Sequence, residues 1–103
     1  MPDLPFAVRS RLEYHIGLIT RTNEAIDRCR QTDRLAGASG RYEWEYRTTQ
    51  YPDLEPSVAF FATFEERARA HGIDPEAIYA AYGGKPEPVP WSVEALAWVH
   101  PGV

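Results

Sequence analysis

The sequence predicts a mainly α protein, a small single-domain helical bundle, and three observations carry that class. Residues 57–84 hold two short helical patterns joined by a glycine turn. Val8, Leu12, Ile16, Ile19 and Ile26 recur at three-to-four spacing through the N-terminal third. The one segment with strand-like alternation, residues 41–51, has no second convincing strand to pair with. A chain of 103 residues supports a single core, so residues 1–103 read as one domain. Its parts are a long helix over 1–36, a loop and aromatic segment over 37–56, a hairpin over 57–84, and a proline-rich strap with a short C-terminal helix over 85–103.

The first helix has two competing starts. Asp3 can cap a helix that includes Pro5, or Ser10 and Glu13 can form a capping box. His15 and Cys29 lie at the margins of its apolar stripe, and it should end near Leu35, before the loop Gly37–Gly40. Arg21, Glu24 and Arg28 lie opposite the stripe, with Glu24 and Arg28 in the favourable i,i+4 order. They read as a solvated, salt-bridged face; the competing reading is a phosphate-contacting ridge. So long an apolar stripe must be buried against the central helices, against a second copy, or both. A homodimer through this helix is therefore among the expected arrangements.

Residues 41–47 read two ways. As a strand, Tyr42, Trp44 and Tyr46 share one face; as a helix, Glu43 pairs with Arg47 and Tyr42 with Tyr46. The missing partner strand favours the helix. In both readings Arg41, Tyr42, Trp44, Tyr46 and Arg47 concentrate the residue types enriched at binding hot spots, which makes them the candidate protein-binding set. The competing reading is that the rings cap the core.

In the hairpin, Ser57 is placed to cap a helix beginning at Val58 and carrying Phe61, Phe64 and Ala68, with Phe60 widening the stripe. Gly72 should end that helix in the left-handed conformation, with His71 in its last turn. Asp74-Pro75 should open the next one as N-cap and first helical residue. Ile73 and Ile78 occupy the positions of a hydrophobic staple, and Gly83-Gly84 stops the helix.

The run from Ala68 to Tyr79 resembles the helix-turn-helix of bacterial transcription repressors of the TetR type, through Ala68, Gly72, Ile73 and Ile78. The resemblance covers at most a quarter of the chain and implies a DNA-binding regulator. The residues that would then meet DNA are Arg67, Arg69, Tyr79 and Lys85. The second helix departs from that pattern: it offers Glu76, Ala77, Ala80 and Ala81 where phosphate and base contacts need cationic or hydroxyl side chains.

After the hairpin, Lys85-Pro86-Glu87-Pro88-Val89-Pro90 should be extended. Ser92 should cap a short helix carrying Val93, Leu96 and Trp98 and ended by Pro101. Trp91 and Trp98 are apolar enough to hold this strap against the body, a reading favoured over a free docking arm.

The net charge of −4 is uneven. Residues 1–51 carry eight arginines against seven carboxylates; residues 52–103 carry three cations against eight. The acidic half disfavours general attraction to nucleic acid and suits a basic protein partner. A lone Cys29 excludes an internal disulfide, and with no apolar run or leader evident the expected setting is cytoplasmic, away from membranes. His15, His71, His100 and Cys29 fall on separate elements and do not make a zinc spacing, and neighbouring Glu65 and Glu66 point to different faces. No phosphate loop or nucleophile elbow is present. Neither a metal nor another cofactor is expected. Size, acidity and the lack of active-site chemistry together suggest a non-catalytic protein-binding module, such as a small inhibitor or accessory protein of phage or mobile-element origin. The alternative is the helix-turn-helix regulator.

Overall fold

The computed structural model describes residues 4–99, and every regular element in that range is helical: α1 (Phe6–Ala36), α2 (Arg41–Thr49), α3 (Glu55–Ala70), α4 (Pro75–Ala80) and α5 (Val93–Val99). Their contacts fall into two units. The first is built from residues up to Thr20 with Asp53–Glu87, the second from Arg21–Pro52 with the chain after Glu87. Helix α1 contributes its N-terminal half to the first unit and its C-terminal half to the second.

Helix α1 does not begin at Ser10. The Pro5 carbonyl accepts the amides of Val8 and Arg9 at 3.0 Å, so the helix starts directly after a proline that needs no donor, and Ser10 lies inside it. Asp3 lies outside the described residues. The stripe faces inward as expected: Leu12, Ile19 and Ile26 are fully buried and Ile16 nearly so.

In the first unit, α3 starts at Glu55, three residues before the anticipated Val58, with Pro56 in its first turn. The Asp53 carboxylate accepts the Glu55 amide at 3.0 Å. Ser57 is consequently no cap. It lies buried within the helix and shares a 2.8 Å hydrogen bond with Nδ1 of His15. The α3–α4 turn forms as expected. Gly72 has φ +71°, the Ile73 amide returns to the Ala68 carbonyl at 2.8 Å, and the Asp74 side chain accepts the Glu76 amide at 3.0 Å. Ile78, Phe61 and Tyr79 are buried beneath this turn, with the last two rings edge to face at 5.7 Å.

In the second unit, the segment left open between helix and strand is a helix. Its first turn is capped from α1: the Asp33 carboxylate accepts the amides of Tyr42 (2.7 Å) and Glu43 (3.2 Å). Beneath α2 the strap is held by side chains. Asn23 accepts the Val89 amide, Arg47 donates to the carbonyls of Val89 and Pro90, and Arg30 donates to that of Pro90. The Ser92 hydroxyl accepts the Ala95 amide and starts α5 as anticipated; Pro101, its expected terminator, lies outside the described residues, as does His100.

Candidate functional site

Helical geometry divides the aromatic segment. Arg41 is exposed and pairs with Glu45 at 3.1 Å, and Tyr42 is 43% exposed. Trp44 is half-buried against Trp98 at 5.8 Å, and Tyr46 is half-buried edge-on to Tyr51. Arg47 is buried and leaves the exposed set altogether. It donates to Glu43 at 2.8 Å, and its guanidinium lies 5.1 Å from the ring centres of both Tyr51 and Trp91. Glu43 is fully buried and also accepts from Arg30 (2.8 Å) and from the Ser92 amide (3.1 Å). Burial works to raise its carboxyl, but the hydrogen bonds from Arg30, Arg47 and Ser92 outweigh that and hold it at about 2. This half of the anticipated site is therefore the structural centre of the second unit. What remains outward is Arg41, Tyr42 and the edge of Tyr46, beside a shallow groove shared with Arg28 and Cys29 of α1. Burial first, then nearby Asp33 and Glu43, pushes the Cys29 thiol up, which disfavours a reactive thiolate.

The helix-turn-helix set changes likewise. Tyr79 is fully buried and its hydroxyl donates to Glu65 at 2.8 Å, so it is withdrawn from any DNA-facing surface. Lys85 pairs with the same carboxylate at 2.8 Å and Arg69 with its other oxygen at 3.7 Å. The hydrogen bond from Lys85, opposed by burial, holds Glu65 below the usual carboxylate range. Of the four candidate DNA contacts, Arg67 alone is exposed and outside an ion pair among the described residues. Helix α4 is six residues long and shows Glu76, Ala77 and Ala80 to solvent.

The first unit also contains a feature that sequence reasoning missed. An open groove of ≈ 650 Å³ runs between the start of α1 and the outer side of α3. Phe64, Ala68 and Ile78 form its floor, and Val8 and Phe60 its walls. Arg11, Arg67 and His71, all exposed, stand in its lining, and no carboxylate does so among the described residues. The one available signal was Phe60. It widens the α3 stripe beyond what one buried face needs. The structure leaves it half-exposed, stacked on His15 at 4.5 Å and on Phe64 at 6.2 Å.

The His15–Ser57 pair is the nearest approach to a nucleophile and base. Ser57 is fully buried, so no substrate carbonyl could reach its hydroxyl. Burial, then the nearby Arg11 charge, lowers the His15 pKa. Among the described residues no cluster of His, Cys, Asp and Glu is arranged to hold a metal ion, and no helix is long and apolar enough to cross a membrane. The chain matches no known protein-family model, no curated protein and no solved structure. The TetR-like run thus stands as a local resemblance.

Proposed function

We propose that the chain is a non-catalytic protein-binding module acting in the cytoplasm, most concretely a small inhibitor or accessory protein of phage or mobile-element origin. The observation that carries this reading is the open apolar groove between α1 and α3, lined also by Arg11 and Arg67, which make no ion pair among the described residues. A cleft with an apolar floor and a few polar rim groups is what a partner's anchor side chains require. Arg41, Tyr42 and the edge of Tyr46 supply a second contact surface of hot-spot composition in the other unit. The free Cys29 thiol is compatible with a reducing compartment. The regulator reading has less support, because its reading helix presents Glu76 and alanines, and Lys85 and Arg69 are engaged by Glu65.

A photoreactive residue at exposed Thr63, on the groove wall, tests the proposal. It should crosslink one polypeptide in producing cells, and that polypeptide should form a stoichiometric complex with the chain from purified components. A probe at Arg21, outside the groove, should not crosslink it. Equal crosslinking from both positions, or no complex on reconstitution, would sink the reading.

A further inference from the structure

The groove's shape and charge say what kind of partner segment it takes, an inference that rests on the protein-binding reading above. On α3 and its C-cap residue, Ala59, Thr63, Arg67 and His71 form one i,i+4 row, and Phe60, Phe64 and Ala68 form the row beside it. Val8 and Arg11 of α1 face them across the cleft. Paired i±4 rows are the ridges between which a third helix packs. The small Ala59 and Thr63 let a backbone come close, while the phenylalanines offer apolar depth. From Ala59 to Ala70 the wall is roughly 16 Å long, which matches about three helical turns or eleven residues. A peptide added as a strand would need an unpaired strand edge, and the described residues contain no strand.

The electrostatics select among helices. Arg11, Arg67 and His71 make no ion pair among the described residues. Glu65, the buried-side carboxylate of α3, is engaged by Lys85, Tyr79 and Arg69. The net charge of −4 argues for a basic partner, but it acts over the whole surface and is screened within about 8 Å at physiological salt. Contacts at the groove are decided by its own rim. The row from Ala59 to His71 also has a direction, small and neutral at one end and cationic at the other.

We propose that this groove binds an acidic amphipathic helix of about eleven residues, with apolar anchors at i, i+3 or i+4 and i+7 and its carboxylates at the Arg67–His71 end.

The test is a selection of displayed helical peptides against the full chain, followed by solution affinities for the winners. The enriched peptides should be net negative with that apolar spacing. Arg67→Glu, an exposed change that should leave the circular dichroism spectrum intact, should weaken them by about tenfold or more, and a Glu→Lys swap in the peptide should restore binding to that variant. Thr63→Trp, which fills the cleft, should abolish binding. Neutral or basic winners blocked by Thr63→Trp would overturn the acidic assignment and leave the protein-binding reading standing. Winners indifferent to Thr63→Trp would overturn the groove as their site. Failure to select any peptide would overturn the inference, while a stoichiometric complex with the polypeptide crosslinked from Thr63 would leave the protein-binding reading standing. A doubled mass in sedimentation that Thr63→Trp returns to monomer would make a second copy the occupant, and dodecanoate binding with no peptide binding would make it a fatty acid; both overturn the proposal.

Discussion

The two units are built on different chemistry. The first buries Leu12, Ile16, Ile19, Leu54, Phe61, Phe64, Ile78 and Tyr79, with Ser57 its one buried polar residue of note. The second buries few apolar side chains, principally Ile26 and Ala95, and at its centre sit Thr22, Asp33, Glu43 and Arg47. Apolar burial accumulates in small increments, about 1.5–3 kcal/mol for a large side chain, and tolerates local change. A buried carboxylate held by two guanidiniums behaves otherwise. Desolvation of three charges nearly cancels their attraction, so the intact cluster adds little net stability, while an incomplete one is costly. The second unit is therefore specified by pairing and the first by packing.

The largest expected effect follows from that contrast. Glu43→Gln changes almost no volume, yet it leaves Arg30 and Arg47 without their counter-charge and should cost about 3 kcal/mol. Ile19→Val removes a whole methylene from the first unit and should cost about 1 kcal/mol. Urea unfolding measures both. Trp44, Trp91 and Trp98 all lie in the second unit, so tryptophan emission follows that unit alone. Equal costs for the two substitutions would erase the distinction.

Gly40→Ala comes next. Gly40 has φ +83°, and a Cβ there would collide with the backbone of Glu94 and Ala95. The substitution should separate α5 from α2 and cost about 2–4 kcal/mol. Gly72 has φ +71° but open space around it, so Gly72→Ala in the first unit should cost only about 1 kcal/mol. Both are read from urea midpoints. A larger loss at Gly72 would mean that turn geometry, rather than close approach of helices, sets the cost.

Acid should also separate the units. In the fold, His15 binds its proton less tightly than in the unfolded chain. The first unit therefore loses stability as pH falls below the ordinary histidine value of 6.5. Glu43 sits at about 2 in the fold against its ordinary 4.5, so its stabilisation is complete above 4.5 and is lost as pH falls toward 2. In an acid titration, tyrosine absorbance should begin to change at higher pH than tryptophan emission, because Tyr14, Tyr79 and Tyr82 lie in the first unit and all three tryptophans in the second. Substituting His15→Phe should remove the upper step and leave the lower one. Coincident steps that survive this substitution would deny the two groups separate control.

What was legible in the sequence was local. The α1 stripe, the Gly72 turn, the Asp74 cap and the Ser92 cap each depend on residues within about one helical turn of each other, so spacing alone revealed them. Residues 41–51 stayed open between helix and strand because their decisive cap, Asp33, belongs to another helix. Ser57 was misassigned for the same reason: its partner is His15, far away in the chain. Glu43 and Arg47 did read as an i,i+4 pair, but their burial depends on Arg30 and the strap carbonyls, which no window around α2 contains. The groove is invisible to periodicity, because an apolar residue lining an open cleft and one sealed in a core have the same spacing.

The smallest expected effects concern the aromatic segment, and they decide how much of its hot-spot composition remains for a partner. Trp44 is half-buried, with its ring tilted by 30° against that of Trp98, whose indole N–H donates to the Ser39 carbonyl at 2.9 Å. Trp44→Ala should therefore cost about 1–2 kcal/mol, below the 3–5 kcal/mol expected for a fully enclosed ring. Tyr42 is more exposed and meets no other ring among the described residues, so Tyr42→Ala should cost the isolated fold under about 0.5 kcal/mol. A partner that uses this surface should register the reverse order, losing about 2 kcal/mol with Tyr42→Ala. Thermal melts give the first ranking and titration calorimetry the second. If Tyr42→Ala lowers the melting temperature as much as Trp44→Ala does, Tyr42 belongs to the fold, and the second unit retains only Arg41 and the edge of Tyr46 to offer a partner.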